Sequence, residues 1–253
     1  MQKSDPGRSP FSPAAAASWA LRRLRDAADP ERAAGVQRYF KETVRSFGVL
    51  SPQVRELARE LHARVRRNWR LEGAVALCDR LFPRPELEAK SVATLVLLRF
   101  HREFGRPLFA AILGWLEKGY LANWASVDTL CPQALAVLLT RFPGLLPELE
   151  GWARNRNRWV RRASIVAFLK LVKREEFLEP AYAMAARHFG SSDDLVQKAA
   201  GWLLREAGKR DMKRLEAFLL EHGPAIPRTT LRYAIERFPE EKRKRLLAAT
   251  RGG

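Results

Sequence analysis

One register constrains this chain more than any other feature. Four alignable blocks begin at Lys90 (KSVATLVLLR), Ser126 (SVDTLCPQAL), Arg162 (RASIVAFLKL) and Lys198 (KAAGWLLREA), each 36 residues after the last. A basic residue opens three of the four, and small or aliphatic residues follow. A unit of that length cannot bury its apolar face alone, so it must stack on copies of itself. The period falls between the shorter and longer helical-repeat lengths and does not select a subtype. The competing reading is coincidence among the Ala- and Leu-rich blocks that any all-helical chain offers; the repeat is favoured.

Local periodicity points the same way. In 51–69, Ser51 is a candidate N-cap and Pro52 fits the first helical position. Val54, Leu57, Leu61 and Val65 then form a stripe at helical spacing. The stretch 85–105 starts at a proline and stops at a glycine. Similar units are expected at 106–119, 122–142, 144–156, 158–172, 175–189, 192–208, 210–222 and 226–249, with Pro132 a candidate break or restart inside 122–142. No stretch alternates with period two long enough to form a sheet. The expectation is an all-α solenoid: residues 13–249 as a single helical domain, behind a disordered tail over 1–12.

The charge narrows the partner. Lys and Arg number 46 against 28 Asp and Glu, a formal net charge of +18 and a pI of about 10.8. Arginine supplies 35 of the 46, and its planar fork matches phosphate; a GC-rich coding bias would produce the same excess. Attraction to nucleic acid or anionic lipid follows. Cys78 and Cys131 form no framework, which points to a reduced, cytoplasmic setting. Four scattered histidines show no metal-ligand spacing, and neither metal nor cofactor is expected. No apolar run approaches a membrane span, and the N-terminus is a poor signal peptide.

Against the register, three residues stand out. Asp128 occupies a column where the other blocks carry Val92, Ser164 and Ala200. Trp124, one turn earlier on the same helical face, replaces Glu88, Val160 and Val196. Trp202 stands where Thr94, Leu130 and Val166 are smaller. A carboxylate buried without a partner costs several kcal/mol, so Asp128 must be paired, capped or held at a wet or ligand-facing surface. In a solenoid, corresponding helices line one concave wall, where Trp124, Asp128, Arg162, Lys198 and Trp202 can meet. Cleavage of an N-glycosidic bond passes through an oxocarbenium-like sugar, which a carboxylate stabilises. If the leaving base is already cationic, no general acid is needed and one carboxylate suffices.

At these residues the chain resembles a known family. NWASVDTLC (123–131), RWVRRASIVAFLK (158–170) and DLVQKAAGWLLREAGK (194–209) resemble helices of the DNA alkylation repair family, the AlkD-like HEAT-repeat glycosylases; 38–61 resembles its opening helices. The resemblance covers roughly 30–240. It implies a right-handed superhelix of HEAT-like repeats with a basic concave groove, acting on double-stranded DNA that contains alkylated purines. It implies hydrolytic release of cationic N3- or N7-alkylpurines without metal or organic cofactor. Asp128 is then the catalytic acid, and Trp124 and Trp202 the aromatic walls. Arg162, or Arg161 beside it, contacts the backbone near the lesion; Tyr39, Lys41, Lys198 and Arg205 complete the DNA-binding set. A monomer acting on the bacterial nucleoid is expected.

Blander readings stand beside these. Asp128 can cap a helix begun near Pro132 or pair with an arginine. Trp202, in an apolar helix, is by default core; Trp19, Trp69, Trp115, Trp152 and Trp159 are left as packing or surface. The run RNRNRWVRR (154–162) is a solvated face or a phosphate contact. Some members of the family keep the fold, lose the acid and bind DNA structure, so a non-catalytic protein recognising bent or branched DNA is the alternative. A protein-binding helical scaffold is the third reading.

Overall fold

The computed structural model describes residues 11–251. Among them it has fourteen α-helices and no β-strand: α1 (Pro13–Asp26), α2 (Pro30–Val36), α3 (Ser51–Val65), α4 (Leu71–Leu81), α5 (Leu87–Leu98), α6 (Arg106–Glu117), α7 (Trp124–Arg141), α8 (Leu146–Trp152), α9 (Arg158–Val166), α10 (Leu178–Ala186), α11 (Asp194–Gly208), α12 (Met212–His222), α13 (Arg228–Ala234) and α14 (Glu240–Ala249). Among the described residues no helix is long and apolar enough to cross a membrane. The tail expected over 1–12 lies mostly outside the described residues. Its last two belong to the fold: Ser12 caps α1 through its hydroxyl, and the Phe11 carbonyl accepts the Trp69 indole N–H at 3.0 Å.

The chain divides into two compact units, Met1–Leu130 and Cys131–Gly253, and the division falls within α7. In the first, α1 packs on α3, α4 and α5, and α5 packs on both α3 and α4. The core there is Leu24, Leu61, Leu77, Leu81, Phe82 and Leu97, all almost wholly buried. In the second, α9 packs on α11 and α11 on α13, while α8, α10 and α12 lie against members of that row. Such two-layer alternation is how helical repeats share a core. The register starting at Lys90 maps onto α5, α7, α9 and α11, so its four blocks are helices of like position in the chain order.

Three boundaries depart from the sequence expectation. Helix α4 falls between the expected units: it has no side-chain N-cap and follows α3 closely, and its one local mark is the stripe Ala74, Leu77, Cys78 and Leu81 at helical spacing, all buried. The stretch 226–249 is two helices, because Pro239 disfavours helical backbone in the residue before it and is itself the N-cap of α14, with ψ at 150°. Pro132 does not break 122–142: α7 runs through it as one helix.

Candidate functional site

Asn123 decides where α7 begins. Its buried side-chain oxygen accepts the Ser126 N–H at 2.8 Å, the bond of an N-cap. Trp124 is therefore the first helical residue, and Asp128 stands one turn later on the same face. Asp128 does not cap a helix, since none begins near Pro132. Pro132, lacking an N–H, omits the helical bond that would end on the Asp128 carbonyl. Trp124 and Asp128 are both half-buried.

The indole of Trp124 is held from two sides. Its Nε1–H donates to the Tyr39 carbonyl at 3.3 Å. One face stacks on Phe40, with ring centroids 5.1 Å apart and planes inclined by 18°. The segment supplying both contacts is itself clasped. The Gln37 amide donates to the carbonyls of Phe40 and Glu42 at 3.2 and 2.9 Å and accepts from the Val44 N–H at 3.0 Å. Further along, the buried Glu88 carboxylate accepts from the Ser46 hydroxyl at 2.6 Å and from the N–H groups of Phe47, Gly48 and Val49 at 3.0, 2.9 and 3.2 Å. Gly48 is obligatory there: its φ is +76°, and a Cβ would lie 2.1 Å from the Asp29 carbonyl oxygen. Thus Glu88, which shares a register column with Trp124, anchors the loop that braces it. Tyr39 is 62% exposed, and its ring lies 5.0 Å from the Arg38 guanidinium. Lys41, also exposed, follows Phe40.

In the second unit, Lys198, Trp202 and Arg205 share a face of α11 by their i, i+4, i+7 spacing, and all three are half-buried. Lys198 pairs with Asp194 at 3.3 Å, and Arg205 pairs with Glu236. Gly201 lets this helix approach α13: a Cβ there would sit 2.5 Å from the Thr230 carbonyl oxygen. The basic run before α9 is a built turn. Asn157 caps α9 by accepting from the Trp159 N–H at 2.8 Å. Arg161 donates to the carbonyls of Asn155 and Arg156, both at 2.9 Å. Arg158 reaches Asp193 at 2.8 Å, and Asp193 caps α11.

The basic residues that open the blocks divide in two. Lys90 is buried and donates to the carbonyls of Phe82 and Tyr120; burial lowers its pKa to about 8. Arg162, 6% exposed, donates to the Leu195 carbonyl of α11. These two hold backbone of other elements, whereas Lys198 is half-buried and pairs with Asp194; Arg161, next to Arg162, keeps more of its surface in solvent than Arg162. Trp69, Trp115, Trp152 and Trp159 are buried, as are both cysteines, and burial raises the Cys78 thiol well above its usual range. No cluster of metal-ligating side chains occurs among the described residues. Sequence reasoning passed over Phe40 and Asn123. Asn one residue before a helical stripe was a readable cap signal, but the Phe40–Trp124 stack spans 84 residues and had no local mark.

Comparison with known proteins bears on this geometry. No curated protein matches the chain. A predicted DNA alkylation repair enzyme from Enterococcus faecalis is similar in fold, with a TM-score of 0.72 at 20% identity over 84% of this chain and 97% of that one. The family model for DNA alkylation repair enzymes matches residues 20–238, a span that includes Trp124, Asp128 and Trp202. On that match the chain belongs to the DNA alkylation repair enzyme family.

Proposed function

We propose that this protein is a DNA glycosylase that hydrolyses the N-glycosidic bond of cationic N3- or N7-alkylated purines in duplex DNA. The observation that carries this is the pairing of Trp124 and Asp128 on one face at the start of α7, with the indole fixed by Phe40 and the Tyr39 carbonyl. Bracing settles the indole before a substrate arrives, so its orientation costs little during the reaction.

The chemistry balances with one carboxylate. The C1′–N bond breaks and its electron pair neutralises the positive base, which departs without a proton donor. The sugar becomes oxocarbenium-like, and the Asp128 carboxylate stabilises that charge. Water adds to C1′, and its proton passes to the carboxylate. The Trp124 ring is assigned to the cationic lesion, and Trp202 is the second aromatic in this assignment. Tyr39, Lys41, Arg161, Lys198 and Arg205 are assigned to the DNA backbone, and Arg162 supports them by holding α9 to α11.

Base release from methylated duplex DNA, with Asp128→Asn as the control, tests the assignment. Loss of one such electrostatic contact costs roughly 100- to 1000-fold in rate. Wild-type protein that releases no base, or an Asp128→Asn rate equal to wild type, rejects it. Preference for branched over linear duplex without any base release would select the non-catalytic alternative. Uracil and hypoxanthine, which are neutral in DNA and would depart as anions without a proton donor, should be poor substrates.

A further inference from the structure

The first unit carries a concentrated positive surface on other residues. Arg64, Arg66, Arg67 and Arg70 fall within seven positions at the end of α3 and the start of α4, and all four are exposed. No carboxylate lies between Leu61 and Arg70. Of the acids nearby, two are taken by other arginines, and Glu72 and Glu103 are too few to balance the four. Glu60 takes Arg23 at 2.8 Å, Glu56 takes Arg59 at 2.6 Å, and Glu103 accepts the Leu71 N–H at 3.0 Å.

An aromatic frame presents this cluster. The Arg64 and Arg23 guanidinium groups lie 4.8 and 5.2 Å from the Trp19 ring centroid, on a half-buried indole of α1. Phe11 meets the same indole edge-on at 6.4 Å, and its carbonyl accepts the N–H of the buried Trp69, beside Arg70. The field extends to α5: Arg99 and Arg66, after burial, lower the pKa of His62.

A helix C-terminus welcomes one or two cations through its dipole. Four exposed arginines with Arg99 beside them, set against Glu72 and Glu103, exceed that need and repel one another. The other end of α3 is where Ser51, Val54 and Arg55 line a cavity of about 320 Å³ that also includes Thr129, the neighbour of Asp128. At 1.5 Å per residue, α3 sets the arginines about 20 Å from that end.

We infer that Arg64, Arg66, Arg67 and Arg70, framed by Trp19, form a second DNA-backbone site that grips phosphates away from the Asp128 face. Nucleic acid is favoured over other polyanions because arginine forks pair with phosphate oxygens and because the family works on DNA. The site requires DNA as partner but not the glycosylase chemistry.

The test is binding of an undamaged duplex across a salt series, which involves no base release. Each lost phosphate contact flattens the log K against log salt slope by about 0.9. Arg66→Ala/Arg67→Ala should therefore be shallower than wild type by about 1.8, and Arg66→Lys/Arg67→Lys should keep the wild-type slope. An alanine slope equal to wild type overturns the inference, as does an equal loss in the lysine variant. A phosphatidylserine vesicle arm is run alongside: weaker vesicle retention by the alanine variant with an unchanged DNA slope assigns the surface to membrane and overturns it too. If the double variant melts early, Arg67→Ala alone should flatten the slope by about 0.9. A slope change in a protein that releases no base would leave this surface standing and reject only the glycosylase.

Discussion

Phe40 lies against one face of Trp124, its ring nearly parallel to the indole at a centroid separation of 5.1 Å. The contact covers one indole face and ties the loop before α3 to the opening turn of α7. Aromatic pairs of this kind contribute about 0.5–1.5 kcal/mol beyond buried area. Most of the loop's anchoring comes instead from Gln37 and Glu88.

Phe40→Ala should therefore fold with a melting temperature close to wild type. Single-turnover base release should fall several-fold while the Kd for undamaged duplex changes little, because the indole loses its orientation rather than the protein its charge. Phe40→Tyr, which keeps the stack, should restore the rate. Parallel losses of rate and affinity would mean that Phe40 only shapes the DNA surface.

Arg161 and Arg162 are neighbours with opposite expectations. Arg162→Ala removes a buried charge-assisted bond to the Leu195 carbonyl, and should cost about 1.5–3 kcal/mol in denaturant unfolding. Arg161→Ala should cost less stability and flatten the salt dependence of DNA binding. The reverse pattern would return the backbone contact to Arg162.

Gly201→Ala places a methyl group 2.5 Å from both the Thr230 carbonyl oxygen and the Tyr233 Cβ. Backbone sits on one side of that clash, so α11 and α13 must separate. Overpacking of this kind costs about 1–3 kcal/mol, readable as a lowered urea midpoint. An unchanged midpoint would show that α13 yields freely.

His188 is buried beside the Ser164 hydroxyl, and burial, with Arg161 and Arg187 nearby, lowers its pKa to about 4. In the unfolded chain it titrates near 6.5. Between these values the unfolded state holds the extra proton, so stability is full above about 6.5 and falls as pH drops toward 4. The contribution is on the order of 2–3 kcal/mol. His188→Gln should flatten that part of the acid-unfolding curve, and an identical pH dependence in the variant would show that His188 does not carry it.

The sequence by itself determined the helical class, most helix spans, and the singling out of Asp128 and Trp124. Those follow from local rules: a 3.6-residue period, caps, and a register against which an acid and an indole are out of place. Only the tertiary structure decided what the charged and aromatic residues touch. It withdrew Lys90 and Arg162 to backbone carbonyls, paired Phe40 with Trp124 across 84 residues, and spent Glu88 on a loop some forty residues before it. Helical periodicity reports which face of a helix is apolar. Which chain segment comes to lie against that face depends on packing between distant elements, and no spacing along the sequence encodes it.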